Sequence, residues 1–93
     1  MYTIDDFMPF VGQTVTFEDG AQALTLRTCE PTAGAPPNAE RESFILIFTG
    51  PPGPGYMREG MKQARAGDAT WDIYVSPIQT HAPDRQDYQA IFN

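Results

Sequence analysis

Ninety-three residues are enough for one domain and too few for two. The 41% apolar share, with six Phe, four Tyr and one Trp, belongs to a chain that builds a core and not to a disordered one. Twelve Asp and Glu against six Lys and Arg leave a formal net charge of -6, which repels phosphate backbones and sets nucleic acid aside as a partner.

The chain opens Met-Tyr-Thr-Ile-Asp-Asp, with acids where an export signal carries positive charge. Its longest apolar run, Phe44 to Phe48, is far short of a membrane span. The expectation is synthesis in the cytoplasm with no signal peptide, no transmembrane segment and no membrane partner. Thr3 with Asp6 three residues later has the form of a capping box, and Asp5 and Asp6 suit the positive end of a first turn. Phe7, Phe10 and Val11 follow at helical spacing, but Pro9 cannot sit deep in a regular helix. Residues 4–11 are therefore predicted as one or two tight helical turns stopped by Gly12.

From Thr14 the period becomes two. Val15 and Phe17 alternate with Thr14, Thr16 and Glu18, Asp19-Gly20 signals a two-residue hairpin turn, and Leu24 and Leu26 continue the pattern. Pro31, Pro36 and Pro37 cannot donate to a ladder, so residues 31–42 are predicted as a loop. Ser43-Phe44-Ile45-Leu46-Ile47-Phe48 reads as a strand covered on both faces, ended by Gly50-Pro51-Pro52-Gly53-Pro54-Gly55. Residues 56–66 fit two templates: Met57, Met61 and Ala64 fall at helical spacing, while Gly60 opposes a helix. Trp71, Ile73 and Val75 then alternate with Thr70, Asp72, Tyr74 and Ser76. His81 to Asp84 form a polar turn, and Tyr88, Ala90 and Phe92 make a last strand.

Five strands and a possible sixth, joined by short turns, predict a mostly-β domain spanning residues 1–93. The expected form is an antiparallel meander closed into a small barrel or roll, with a short N-terminal helical turn. Its expected core is Phe17, Leu26, Leu46, Trp71, Ile73 and Phe92.

Both ends of the chain carry a resemblance. Ile4-Asp5-Asp6-Phe7-Met8-Pro9-Phe10-Val11-Gly12-Gln13-Thr14 and the closing Tyr88-Gln89-Ala90-Ile91-Phe92-Asn93 are similar to an uncharacterised family of small bacterial proteins. Ser43-Phe44, the Gly-Pro loop and Val75-Ser76-Pro77 fit it as well. The resemblance implies no activity and transfers no functional residue. It implies a strand at residues 60–66, where this chain departs with Gly-Met-Lys-Gln-Ala-Arg-Ala, and a gene setting near phage-tail-collar-like proteins.

The residues that carry chemistry are sparse. Cys29 alone allows neither an intramolecular disulfide nor a thiolate metal cluster, and it reads as a small near-core residue. His81, the one histidine, reads as a solvated turn residue, and no serine stands in a nucleophile-elbow context. Asp19, Glu30, Glu40, Glu42, Asp68 and Asp84 read as solvated acids at turns, without the paired environments that acid–base catalysis needs. Arg58, Lys62 and Arg65, diluted by Glu59, read as a solvated face, and Pro51 to Pro54 as a stiff loop with PxxP spacing. The expectation is a protein that is not an enzyme and holds no cofactor and no metal.

One feature asks for a partner. If Phe44, Leu46 and Phe48 point inward, Ile45 and Ile47 point outward, and by the same alternation so do Tyr74 and Ile91. This second apolar face, Ile45, Ile47, Tyr74 and Ile91, is covered either by the N-terminal turns or by another chain. The expected function is a non-catalytic interaction or structural module docking on itself or on a larger assembly, for which the resemblance implies a phage-tail-like setting. The alternative is a small-molecule-binding barrel with an aromatic interior.

Overall fold

Alternation decides which side chains share a face of a strand. In the computed structural model, which describes residues 2–32, 43–53 and 55–92, the buried apolar set follows that alternation, with one break in parity in the second strand. The strands are β1 (Thr14–Phe17), β2 (Gln22–Pro31), β3 (Phe44–Gly50), β4 (Gly60–Ala66), β5 (Ala69–Pro77) and β6 (Gln86–Phe92). They close into an antiparallel barrel in the order β1-β2-β3-β6-β5-β4. Its interior holds Val15, Phe17, Leu24, Leu26, Phe44, Leu46, Phe48, Ala64, Trp71, Ile73, Val75, Tyr88 and Ala90, all buried. Of the expected core, only Phe92 keeps partial exposure.

The expected antiparallel barrel is present, and the strand order gives its detail. There are two three-strand meanders, β1-β2-β3 and β4-β5-β6, with β3 against β6 and β4 against β1. The reason lies in β3, which matches β6 through an unbroken register from Phe44↔Phe92 to Gly50↔Gln86. That register sets Phe44, Leu46 and Phe48 beside Phe92, Ala90 and Tyr88 on the inner face. Strand β4 brings inward only Ala64 and Ala66 as apolar residues, and Ala64 lies opposite Trp71. Small against large fills a tapering barrel. It also explains why residues 56–66 fit two templates: Met61 points out and Ala64 in, so their helical spacing is accidental.

Two local features set the register of β2. Its pairing with β1 ends at Phe17↔Gln22, the register that a turn at Asp19-Gly20 demands. The connection is nevertheless not the expected two-residue turn. It is a 3-10 turn over Glu18–Gly20, closed by the Ala21 N–H on the Glu18 carbonyl (3.1 Å), with positive φ at Glu18 (53°) and Gly20 (90°). The Lys62 ammonium, 2.6 Å from the Glu18 carboxylate, holds that residue in place. Further along, Leu26 faces Phe48 while Thr28 faces Ile47, so Arg27 is the extra residue of a β-bulge. The bulge moves the inward parity from even to odd and turns Cys29 into the core.

Both mouths of the barrel are stopped. At one end, the β3–β4 connection crosses over and buries Met57, whose N–H donates to the Tyr88 hydroxyl at 3.0 Å. At the other, two 3-10 turns (Ile4–Asp6 and Met8–Phe10) carry the buried Phe7 inward, as the capping box, Pro9 and Gly12 predict. The Asp6 carboxylate accepts the Thr3 N–H at 2.7 Å, and Gly12 has φ 89°. The Phe7 ring lies 4.8 Å from Trp71, 5.4 Å from Phe92 and 5.8 Å from Phe44, centroid to centroid. Phe10 meets Trp71 edge-on at 5.2 Å. Of the expected loop at residues 31–42, Pro31 closes β2 and residues 33–42 lie outside the described residues, as does Pro54 of the Gly-Pro run.

Gly50 sits where its strand's inward face has no room. A Cβ there would stand 2.4 Å from Leu24 Cδ2, a side-chain atom packed in the core. Gly50→Ala is expected to destabilise the fold by about 1–3 kcal/mol through overpacking. The loss should shrink when Leu24→Val is added, because the two sites share one space. Urea titration of the three variants checks this, and an unshifted midpoint for Gly50→Ala would show the space to be larger. Trp71→Ala, which empties the contact of Phe7 and Phe10, should cost about 3–5 kcal/mol on the same assay.

Candidate interaction surface

The outward face of β3 and β6 is built by the alternation that fills the barrel. Ile45 lies directly opposite Ile91, and Ile47 opposite Gln89. On the next strand round, Tyr74 points outward opposite Met61 of β4. Tyr74 and Ile91 are 51% and 50% exposed and Met61 is 66% exposed, while Ile45 and Ile47 are half-buried. Ile45 and Ile91 thus form a cross-strand pair. Tyr74 reaches the same side of the molecule from β5, the strand beside β6. Met61, hidden from the sequence reading by its helical spacing, joins Tyr74 through the β4–β5 register.

The N-terminal turns do not cover this face. Phe7, expected as part of a cover for Ile45 and Ile47, instead packs on Phe44, Trp71 and Phe92, three inward-facing residues of the barrel mouth. The correction has a plain cause. An open mouth lined with three aromatic rings is a deeper apolar sink than the convex outer face, and a ring there loses almost all contact with water.

Polar groups frame the patch. Glu30 lies beside Ile45 on β2, in a strand rather than at the expected turn. The Glu59 carboxylate near the Tyr74 phenol raises its pKa above the ordinary tyrosine range, as a hydrogen-bond acceptor first and then, after slight desolvation, by its charge. On the far side sits Asp87, an outward residue of β6 that is only 8% exposed because the residues after β5 fold over it. Its carboxylate accepts from Thr49 Oγ1 at 2.5 Å and from Arg85 Nε at 3.1 Å, and Arg27 Nη1 stands at 3.6 Å. The Asp87 N–H donates to Thr80 Oγ1 at 2.9 Å. The sequence carried one signal for this hub: Arg85, just before β6, and Asp87 are two apart, the spacing that puts side chains of extended chain on one side.

The other chemistry-bearing residues lie apart. His81 is exposed in the β5–β6 connection. Lys62 and Arg65 fall on opposite faces of β4, Lys62 spent on Glu18 and Arg65 next to Gln63 (3.4 Å), so no basic patch forms with Arg58. Cys29 is buried under the N-terminal turns, its thiol donating to the Ile4 carbonyl at 3.8 Å. Burial first, then the charges of Asp5 and Glu30, push its pKa up to about 11. A thiol so protonated is a poor nucleophile. Among the described residues, no three His, Cys, Asp or Glu gather as a metal site, and no helix is long and apolar enough to cross a membrane.

Residues 2–92 match a family described as Domain of unknown function (DUF6916), and the chain belongs to that family. No curated protein and no solved structure matches it.

Two measurements follow from these groups. Asp87→Ala should cost about 1–3 kcal/mol, because Thr49, Arg27 and Arg85 lose one shared acceptor in a partly desolvated place. A loss below about 0.5 kcal/mol in urea titration would mean that water replaces the carboxylate freely. Cys29 sets an alkaline limit. The unfolded chain releases the thiol proton near the ordinary value of 9.0, while the folded one holds it to about 11. Stability from this group is therefore intact below about pH 9 and falls as pH climbs through that interval. Cys29→Ala should flatten this part of the stability profile, leaving the alkaline slope from tyrosines such as Tyr88, whose pKa burial also raises.

Proposed function

We propose that this domain is a non-catalytic interaction module whose outer face, centred on the Ile45–Ile91 pair with Ile47, Tyr74 and Met61, docks on another protein surface. The observation that carries this reading is the exposure of Tyr74, Ile91 and Met61 on one side of a barrel whose interior is already filled. Large apolar side chains gathered on a small domain mark a contact site when they stay exposed among the described residues. An exposed Tyr beside Glu59, an apolar centre and a charged rim of Glu30 and Arg27 match the anatomy of a protein interface. Leu26, Leu46 and Val75 at zero exposure, with Phe7 and Met57 stopping the two mouths, favour this reading over a ligand-binding barrel. The occupant is a second copy or a component of a larger assembly. An accessory place in a phage-tail-like structure is the setting that the family resemblance implies.

Tyr74→Glu combined with Ile91→Lys tests the reading. Both side chains are half in water, so the double variant should fold with a urea midpoint shifted by no more than about 1 kcal/mol. If the wild type associates with itself, light scattering should show the variant as a monomer. A monomeric wild type assigns the face to a foreign partner, whose capture the variant should abolish. A variant that unfolds, or an oligomer that survives both charges, overturns the proposal.

A further inference from the structure

The last ladder pairs between β5 and β6 are Ser76↔Gln89 and Pro77↔Tyr88, at one end of two longer strands. Towards the other end, the Asp72 N–H, on the edge of β5 that faces β6, donates not to a strand carbonyl but to the hydroxyl of Tyr2 at 2.9 Å. The Tyr2 ring stands edge-on to Phe92 of β6 at 6.3 Å and to Phe7 at 5.9 Å. In the lower half of the barrel the N-terminal segment thus takes the place of a ladder.

That segment is attached lightly. Its 3-10 turns are bonded within themselves, and its backbone joins the barrel through Gly12 N–H on the Leu26 carbonyl (2.7 Å) and the Leu26 N–H on Gln13 (3.0 Å). Gly12, with φ 89°, stands at that junction, where glycine tolerates a change of direction best. Cys29 lies directly beneath, under the carbonyl of Ile4.

We propose that residues 2–11 form a strap that lifts from the barrel as one unit while the barrel stays folded, uncovering the Cys29 thiol and the unladdered edges of β5 and β6 beside Tyr74 and Ile91. Local opening of this kind needs less free energy than global unfolding when few contacts cross the boundary, and the strap's contacts are side-chain contacts at one mouth. Opening would place a bare strand edge next to the apolar face, where an extended segment adds by main-chain hydrogen bonding. The strap would then govern access to that edge, independently of what docks on the outer face.

Labelling of Cys29 by excess 5,5′-dithiobis(nitrobenzoate) reads the opening directly: the thiolate attacks the reagent's disulfide, forms a mixed disulfide and releases a coloured thiolate. Global stability is followed on the same protein by Trp71 fluorescence in urea. With a lifting strap, native-state labelling hardly responds to low urea. Phe7→Leu then speeds labelling about tenfold or more. Leu24→Val, at the opposite mouth, lowers the urea midpoint without speeding labelling. Tyr2→Phe, which removes only the bond to Asp72, supplies a milder strap variant if Phe7→Leu fails to fold, with severalfold faster labelling expected. If wild-type labelling climbs with urea as steeply as global unfolding, or if Leu24→Val speeds it in step with lost stability, strap and barrel unfold together and the proposal is wrong.

Discussion

Phe7 in the lower mouth of the barrel is the contact on which the closed form of the structure depends. A small barrel keeps its strands paired around the circumference, but its two ends stay open to water unless something fills them. Phe7 meets Phe44 of β3, Trp71 of β5 and Phe92 of β6, and so ties three strands together at the point where β5 and β6 have no ladder between them. The aromatic cluster substitutes for main-chain hydrogen bonds that the splayed strands do not make. Met57 performs the matching service at the upper mouth, fixed there by its N–H on the Tyr88 hydroxyl. With both ends stopped and the interior filled, the apolar side chains that stay in water among the described residues lie on the outside, Tyr74, Met61 and Ile91 among them.

That outer surface divides into a wet and a dry part for electrostatic reasons. The bulge at Arg27 sends two consecutive side chains outward and brings a guanidinium to Asp87, which also receives Arg85 and Thr49. A carboxylate this far out of water is tolerable because charged donors surround it. Beside this hub, Ile45 pairs with Ile91 across the strands and Ile47 lies between Thr28 and Gln89. Membership in DUF6916 adds no chemistry to this picture, and the functional reading stands on that division of the surface.

How far the strands could be read from the residues depended on how cleanly each one alternates. Val15 and Phe17, Leu24 and Leu26, and Trp71, Ile73 and Val75 each declare a face, and each is where alternation puts it. The Ile45, Ile47, Tyr74 and Ile91 set is outward for the same reason. Strand β4 was obscure because a barrel wants small residues opposite Trp71, and Ala64 and Ala66 carry no β signal of their own. The bulge was visible only as a parity break, with Leu24 and Leu26 even and the buried Cys29 odd. Asp87 was invisible as a buried acid because the segment that covers it arrives from the preceding turn.

What the sequence determined by itself was local: the period of each strand, the turn at Gly20, the capped N-terminal turns and the two-faced character of β3. These depend on dihedral preferences and side-chain spacing, which a few neighbouring residues settle. The tertiary structure alone decided that β3 pairs with β6, that Phe7 goes into the mouth rather than over Ile45 and Ile47, and that Asp87 collects two arginines. Those choices compare competing burials between segments far apart in the chain, and the best-filled interior wins. Spacing along the chain says which side chains need cover. Only the closed barrel says which of them find it within the molecule.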